Sequence, residues 1–109
     1  MKMVTAIIQP FKLDDVVLAL EEIPGFPGMT VTDARGFGRD HLEGPHDRAE
    51  DLSDFRRRVR VEIVVDDEMT ARVVETLRCG AHTGRRGDGQ VIVWSVDRTY
   101  DIRCLDEEG

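Results

Sequence analysis

At 109 residues the chain has room for one domain built on a single, modest hydrophobic core. Its net charge of −7 argues against general nucleic-acid binding, and no apolar run reaches membrane-spanning length. Cys79 and Cys104 make no metal-ligand spacing, and Met1-Lys2-Met3 opens directly onto strand-like sequence, so a cytoplasmic chain with idle thiols and no secretion signal is expected.

Residues 3–9 are β-prone and apolar on both faces, which predicts a central strand ended by Pro10. Leu13, Val16, Val17, Leu20 and Ile23 recur at helical spacing, with Asp14 and Asp15 in the first turn, where the helix dipole favours negative charge. The run Pro24-Gly25-Phe26-Pro27-Gly28 closes that helix, and a second strand follows from Met29 to Arg35. Residues 37–57 lack any sustained apolar period and are dense in acids. A loop this long is functional or disordered, and its composition predicts mobility in the absence of a partner.

From Arg58 to Val65 the alternation is clean. Val59, Val61, Ile63 and Val65 share one face, and Arg58, Arg60 and Glu62 the other. Asp66-Asp67 caps a second helix with Thr70, Val73, Val74 and Leu77 on its apolar face and Gly80 as its stop; Cys79 reads as a small packing residue. The order β-α-β, long loop, β-α-β predicts an α+β fold of the ferredoxin-like βαββαβ kind. That is a single domain over residues 1–109, with a four-stranded antiparallel sheet and both helices on one face. Ile7, Val91, Val93 and Trp94 are then available to the uncovered face, and self-association is the simplest way to cover it.

The most chemically suggestive stretch is Thr83-Gly84-Arg85-Arg86-Gly87-Asp88-Gly89-Gln90, just before the strand-like run Val91 to Val96. Glycines leave backbone N–H groups open to an anion, and two arginines share the turn, which suits a phosphate. The plainer alternative is a tight helix-to-strand connection with solvated arginines. His41 and His46 with Asp40, Glu43, Asp47, Glu50 and Asp51 have donors suited to zinc, against the alternative of a solvated acidic loop. No nucleophile–base pair or catalytic carboxylate pair is evident, so no catalytic residue is assigned. An enzyme reading requires a slow nucleotide hydrolase using Asp88 or Asp40 as base.

Five collinear blocks resemble the PII signal-transduction (nitrogen regulatory) family. They are Ala6 to Asp14, Gly28 to Thr32, Gly36 to Arg39, Val61 to Val65, and Thr83-Gly84 with Gly87-Asp88-Gly89. The resemblance spans nearly the whole chain outside residues 40–57. It implies a trimer, an adenine nucleotide (ADP, AMP or ATP) held between subunits, and a long loop contacting a target protein such as a transporter or enzyme. Carried over by position, Gly87, Asp88, Gly89 and Gln90 stand at the phosphates with Arg103 from the tail. Gly36, Phe37, Gly38 and Arg39 line the nucleotide at the loop base, and Arg58 occupies a family lysine position. Ile7, Gly28, Thr30 and Val64 border the adenine.

The departures from the family are Gln90 for a lysine, Asp101 for an arginine, and Asp40 for the glutamine that helps hold Mg–ATP and 2-oxoglutarate. Asp40 retains the capacity to ligate Mg²⁺ but repels a dicarboxylate. The only tyrosine is Tyr100, so uridylylation of the loop is not expected. A divergent PII-like member is implied, with a metal- or small-anion-responsive sensor as the alternative.

Overall fold

The computed structural model describes residues 1–37 and 55–104. β1 spans Lys2–Ile8, a short 3-10 turn Pro10–Lys12, α1 Leu13–Glu21, β2 Thr30–Gly36, β3 Arg56–Val65, α2 Asp67–Ala81 and β4 Gly89–Ser95. The strands lie in the order β2-β3-β1-β4, every pair antiparallel. β1 is therefore central, as its two-sided apolar sequence requires. This is the predicted ferredoxin-like α+β arrangement.

Register fixes which side chains reach the core. Val4, Ala6 and Ile8 of β1 stand opposite Ile63, Val61 and Val59 of β3, and all six are buried. Against that face pack Val16 and Leu20 of α1 and Val73, Leu77 and Ala81 of α2, spaced three or four residues apart as one helix face demands. Asp66 takes the N-cap position of α2 as expected, but its side chain makes no capping bond. Its carbonyl instead accepts from the Met69 amide at 3.1 Å and the Thr70 hydroxyl at 3.0 Å. Asp67 receives the Met1 ammonium at 2.8 Å, and that hydrogen bond holds its carboxyl below the usual aspartate range.

The structure corrects several sequence expectations. Gly80 does not stop α2, which runs on to Ala81; a Cβ at Gly80 would stand 3.2 Å from Val16 Cγ2 and 3.4 Å from Val16 Cα. Its missing side chain is what lets the helices meet. Cys79 is exposed and packs nothing in the core, because it lies off the Val73-Leu77-Ala81 face. β3 begins at Arg56, two residues early, since Arg56 and Arg57 complete the ladder with Gly36 and Arg35.

β4 likewise begins at Gly89, so Gly89 and Gln90 are strand and not loop. Val91 and Val93 pair with Ala6 and Val4 and so belong to the helix side, leaving the uncovered face to Ile92 and Trp94 together with Met3 and Ile7. The period-2 rule was right, but an all-apolar strand does not reveal its own parity. Among the described residues no helix is long and apolar enough to cross a membrane.

Replacing Gly80 with leucine must push α1 off α2, because Val16 is fully buried and has nowhere to move. We expect a loss of about 1–3 kcal/mol, typical of overpacking. A urea midpoint unchanged from the parent would show that the helices do not meet there.

Candidate functional site

Two contacts fasten the glycine loop to the end of β1. The Gln9 side-chain amide donates to the Gly87 carbonyl at 2.7 Å. Gly89 then enters β4 opposite Ile8 with φ +106, and a Cβ there would collide with the Ile7 carbonyl oxygen and sit 2.9 Å from its carbon. Only glycine fits, both for its positive φ and for that approach.

Asp88 organises the loop from within. Its carboxylate accepts from the Thr83 hydroxyl, from the Thr83 amide at 2.8 Å and from the Gly84 amide at 2.9 Å. His82 Nδ1 lies 3.8 Å away, with its own side chain largely exposed. The Thr83 hydroxyl accepts in turn from the Arg85 amide at 3.1 Å. The Thr83 hydroxyl bond holds the Asp88 carboxyl below the usual aspartate range; the two backbone amides and the nearby His82 add to this, and partial burial opposes it. A carboxylate so occupied supports the loop's shape, and its lowered pKa makes it a weaker general base.

The positions singled out from sequence spread over the open face of the sheet. At one end Ile7 pairs with Arg60 and Gln90 beside the loop that carries Gly87, Asp88 and Gly89, while Arg58, opposite Ala34, and Gly36, opposite Arg56, lie two and four residues further along β3 toward the β2–β3 loop. Phe37 follows Gly36 and its ring meets Phe55, centroids 5.5 Å apart. At the other end Val64 pairs with Met3, and Thr30, two residues after Gly28, pairs with Glu62, which faces Thr5 midway between the Ile7 and Val64 rows.

The Ile7 and Val64 rows are four residues apart on β1, about 13 Å at strand rise. Behind the glycine loop, on the helix side of the sheet, a cavity of ≈ 270 Å³ is lined by Ile8, Leu77, Ala81, His82, Asp88 and Gln90, and another of ≈ 250 Å³ includes Val64 with Met1, Met69 and Thr99. Of the residues assigned to the base, Thr30 and Val64 lie away from the glycine loop, whereas Ile7 lies beside Gln90 at the loop end.

Arg103 sits in a tail turn where its amide donates to the Asp101 carboxylate at 3.0 Å, a role for Asp101 that the sequence reading missed. An Asp two residues before the donor is the signal that would have found it. Gly38 and Arg39 lie outside the described residues. So do Asp40, His41, Glu43, His46, Asp47, Glu50 and Asp51, the members of the suggested metal set. Among the described residues no cluster of three or more His, Cys, Asp or Glu side chains is placed to hold a metal.

Two outcomes follow from this geometry. Gly89→Ala should break the start of the β1–β4 pairing, seen as faster amide exchange in residues 87–91, while leaving the β2–β3 ladder protected. The Asp88 contribution has a defined sign. A carboxyl held low in the folded state stabilises fully above the ordinary aspartate pKa, and its contribution is lost as pH falls through the lowered value. Amide exchange at Thr83 and Gly84 should therefore be constant at neutral pH after correction for intrinsic rates. It should accelerate only below the normal aspartate range, and Asp88→Asn should show the fast rate at every pH.

Comparison with known proteins identifies the family. The family model described as nitrogen regulatory protein P-II matches residues 1–105. The chain is 44% identical over 111 residues to the nitrogen regulatory protein P-II of Azospirillum brasilense, covering 100% of this chain and 97% of that one. It is 46% identical over 110 residues to nitrogen regulatory protein P-II 1 of Escherichia coli strain K12, covering 99% and 96%. With the P-II protein of Rhizobium meliloti it shares 48% over 105 residues, covering 94% and 92%. Full-length similarity at this level, on a βαββαβ sheet with the glycine loop pinned to β1, places the chain in the nitrogen regulatory protein P-II family, a family of signalling regulators.

Proposed function

We propose that this regulator acts in the cytoplasm as a homotrimer that binds an adenine nucleotide between subunits and signals through the loop joining β2 and β3 to a target protein, a transporter or an enzyme. The observation that carries the reading is the spread of the candidate residues over one uncovered sheet face, with Val64 about 13 Å from the Ile7–Gln90 row beside the glycine loop. The glycine-loop end of one copy and the Thr30–Val64 end of the next would together supply both halves of a nucleotide site. The open face has the apolar character such packing needs: Trp94 is 56% exposed and Ile92 44%, with Trp94 Nε1 donating to the nearly buried Thr5 hydroxyl at 3.2 Å.

Within that site the backbone amides of residues 87–89 and the guanidiniums of Arg58 and Arg103 would hold the phosphates, and Ile7, Gly28, Thr30 and Val64 would flank the base. Gly36 and Phe37 would form the near wall at the foot of the loop, continuing into Gly38 and Arg39. Gln90 brings a neutral amide to the phosphate end and Asp101 a carboxylate, so the outermost phosphate is the one least well held. Mg²⁺, if it accompanies the nucleotide, would neutralise phosphate charge. The hydrolase alternative is weaker because Asp88 is committed to the loop.

Sedimentation at micromolar concentration should give a trimer, with Trp94 emission shifting to the blue relative to dilute monomer. A stable monomer would remove the shared site. In calorimetry ATP should bind no more tightly than ADP, and 2-oxoglutarate should change little. Gln90→Lys should favour ATP by about tenfold, the worth of one charge-assisted hydrogen bond. Adding Asp101→Arg should extend the gain but also loosen the turn at Arg103, so the single variant is the cleaner test. Clear preference of the parent for ATP, tightened by Mg²⁺ and 2-oxoglutarate, would refute the charge reading.

A further inference from the structure

Near the loop end of the β2–β3 ladder, Arg35 stands directly opposite Arg57. Like charges so placed repel one another. Strand parity sets Asp33, Arg35 and Arg57 on the helix side of the sheet, the side away from Arg58 and Gly36. A cavity of ≈ 630 Å³ at this edge is lined by Pro10, Leu13, Asp33, Arg35, Arg57 and Val59, and Ala34 and Arg58 also reach it.

This cavity holds both signs of charge without neutralising either. Among the described residues, no ion pair joins Asp33 to either arginine, and the Asp33, Arg35 and Arg57 side chains make no other hydrogen bond or ion pair. Asp33 and Arg35 are two residues apart on one face, about 7 Å along the strand. The long arginine stems let the guanidiniums lean over that gap. Pro10, Leu13 and Val59 supply an apolar wall beside the charges.

The geometry points to a binding site for a free α-amino acid. Its carboxylate would lie between the two guanidiniums, relieving their repulsion through charge-assisted hydrogen bonds. Its ammonium would face Asp33, and its side chain the Pro10–Leu13 wall. A dicarboxylate of similar size would set its second charge against Asp33, and a simple amine would meet the arginine pair first. The assignment rests on Asp33, Arg35 and Arg57; Arg58, which also reaches the cavity, is the one residue shared with the proposed nucleotide site.

The test is amide NMR of the full chain titrated with L-leucine and L-glutamine, against glutarate, butylamine and inorganic phosphate. Saturable shifts confined to residues 33–35 and 57–59 are expected from the amino acids at millimolar concentration, with little from the three controls. Arg35→Gln and Arg57→Gln should each weaken binding by about tenfold, and Asp33→Asn should admit glutarate. Unchanged melting temperatures would show that these exposed substitutions leave the fold intact, and ADP shifts in residues 87–90 should survive Arg57→Gln. Absence of saturable shifts at 33–35 and 57–59 would overturn the proposal, as would glutarate or phosphate matching leucine. Loss of ADP binding with amino-acid binding retained would count against the nucleotide reading alone.

Discussion

The backbone of Gly89 lies so close to the Ile7 carbonyl that no side chain fits between them. That approach delivers the glycine loop onto the end of the central strand and starts β4 in the register that carries Val91 to the core. Gln9, just before Pro10, then holds Gly87 through its side-chain amide. Without this junction, Asp88 and Thr83 would still form their turn, but it would have no fixed relation to Ile7, Gln90 or Arg58. The site's geometry is thus inherited from a backbone contact and not from the side chains that face a ligand.

Much of the fold could be read directly because β3 and the helices carry unambiguous periods. Val59, Val61, Ile63 and Val65 alternate with charged or half-exposed neighbours, and the structure buries all four. β4 lacked that contrast. With apolar residues at 91–94, either parity satisfied the pattern, and only pairing with β1 decided it. Gly80 was misread for a related reason: a glycine near a helix end is usually a stop, and the need for space beside Val16 is a tertiary fact with no local signature.

The candidate site was legible in its membership more than in its chemistry. Glycines, arginines and the resemblance to PII proteins marked the stretch that the structure ties to β1, but nothing in the sequence showed that the Asp88 carboxylate is engaged by Thr83 and Gly84. Sequence shows which groups a residue carries and not which neighbours engage them. Charge follows the same lesson. A chain with net charge −7 still gathers Arg35, Arg56, Arg57, Arg58 and Arg60 at one end of β2 and β3, and register divides them between opposite faces of the sheet.

The central position of β1 also shapes how the chain comes together during synthesis. The first strand made has both of its partners made later, β3 beginning at Arg56 and β4 at Gly89; the Lys2 and Ser95 side chains that meet across the sheet are 93 residues apart in sequence. β2, β3 and β1 can all pair once Val65 has left the ribosome, but the β1–β4 ladder waits for residues 89–95. Such long-range closure slows folding, because loop entropy is lost before the pairing returns any stability. Until β4 emerges, the apolar run from Met3 to Ile8 keeps one open edge, which makes the nascent chain more vulnerable to wrong pairing than the finished molecule.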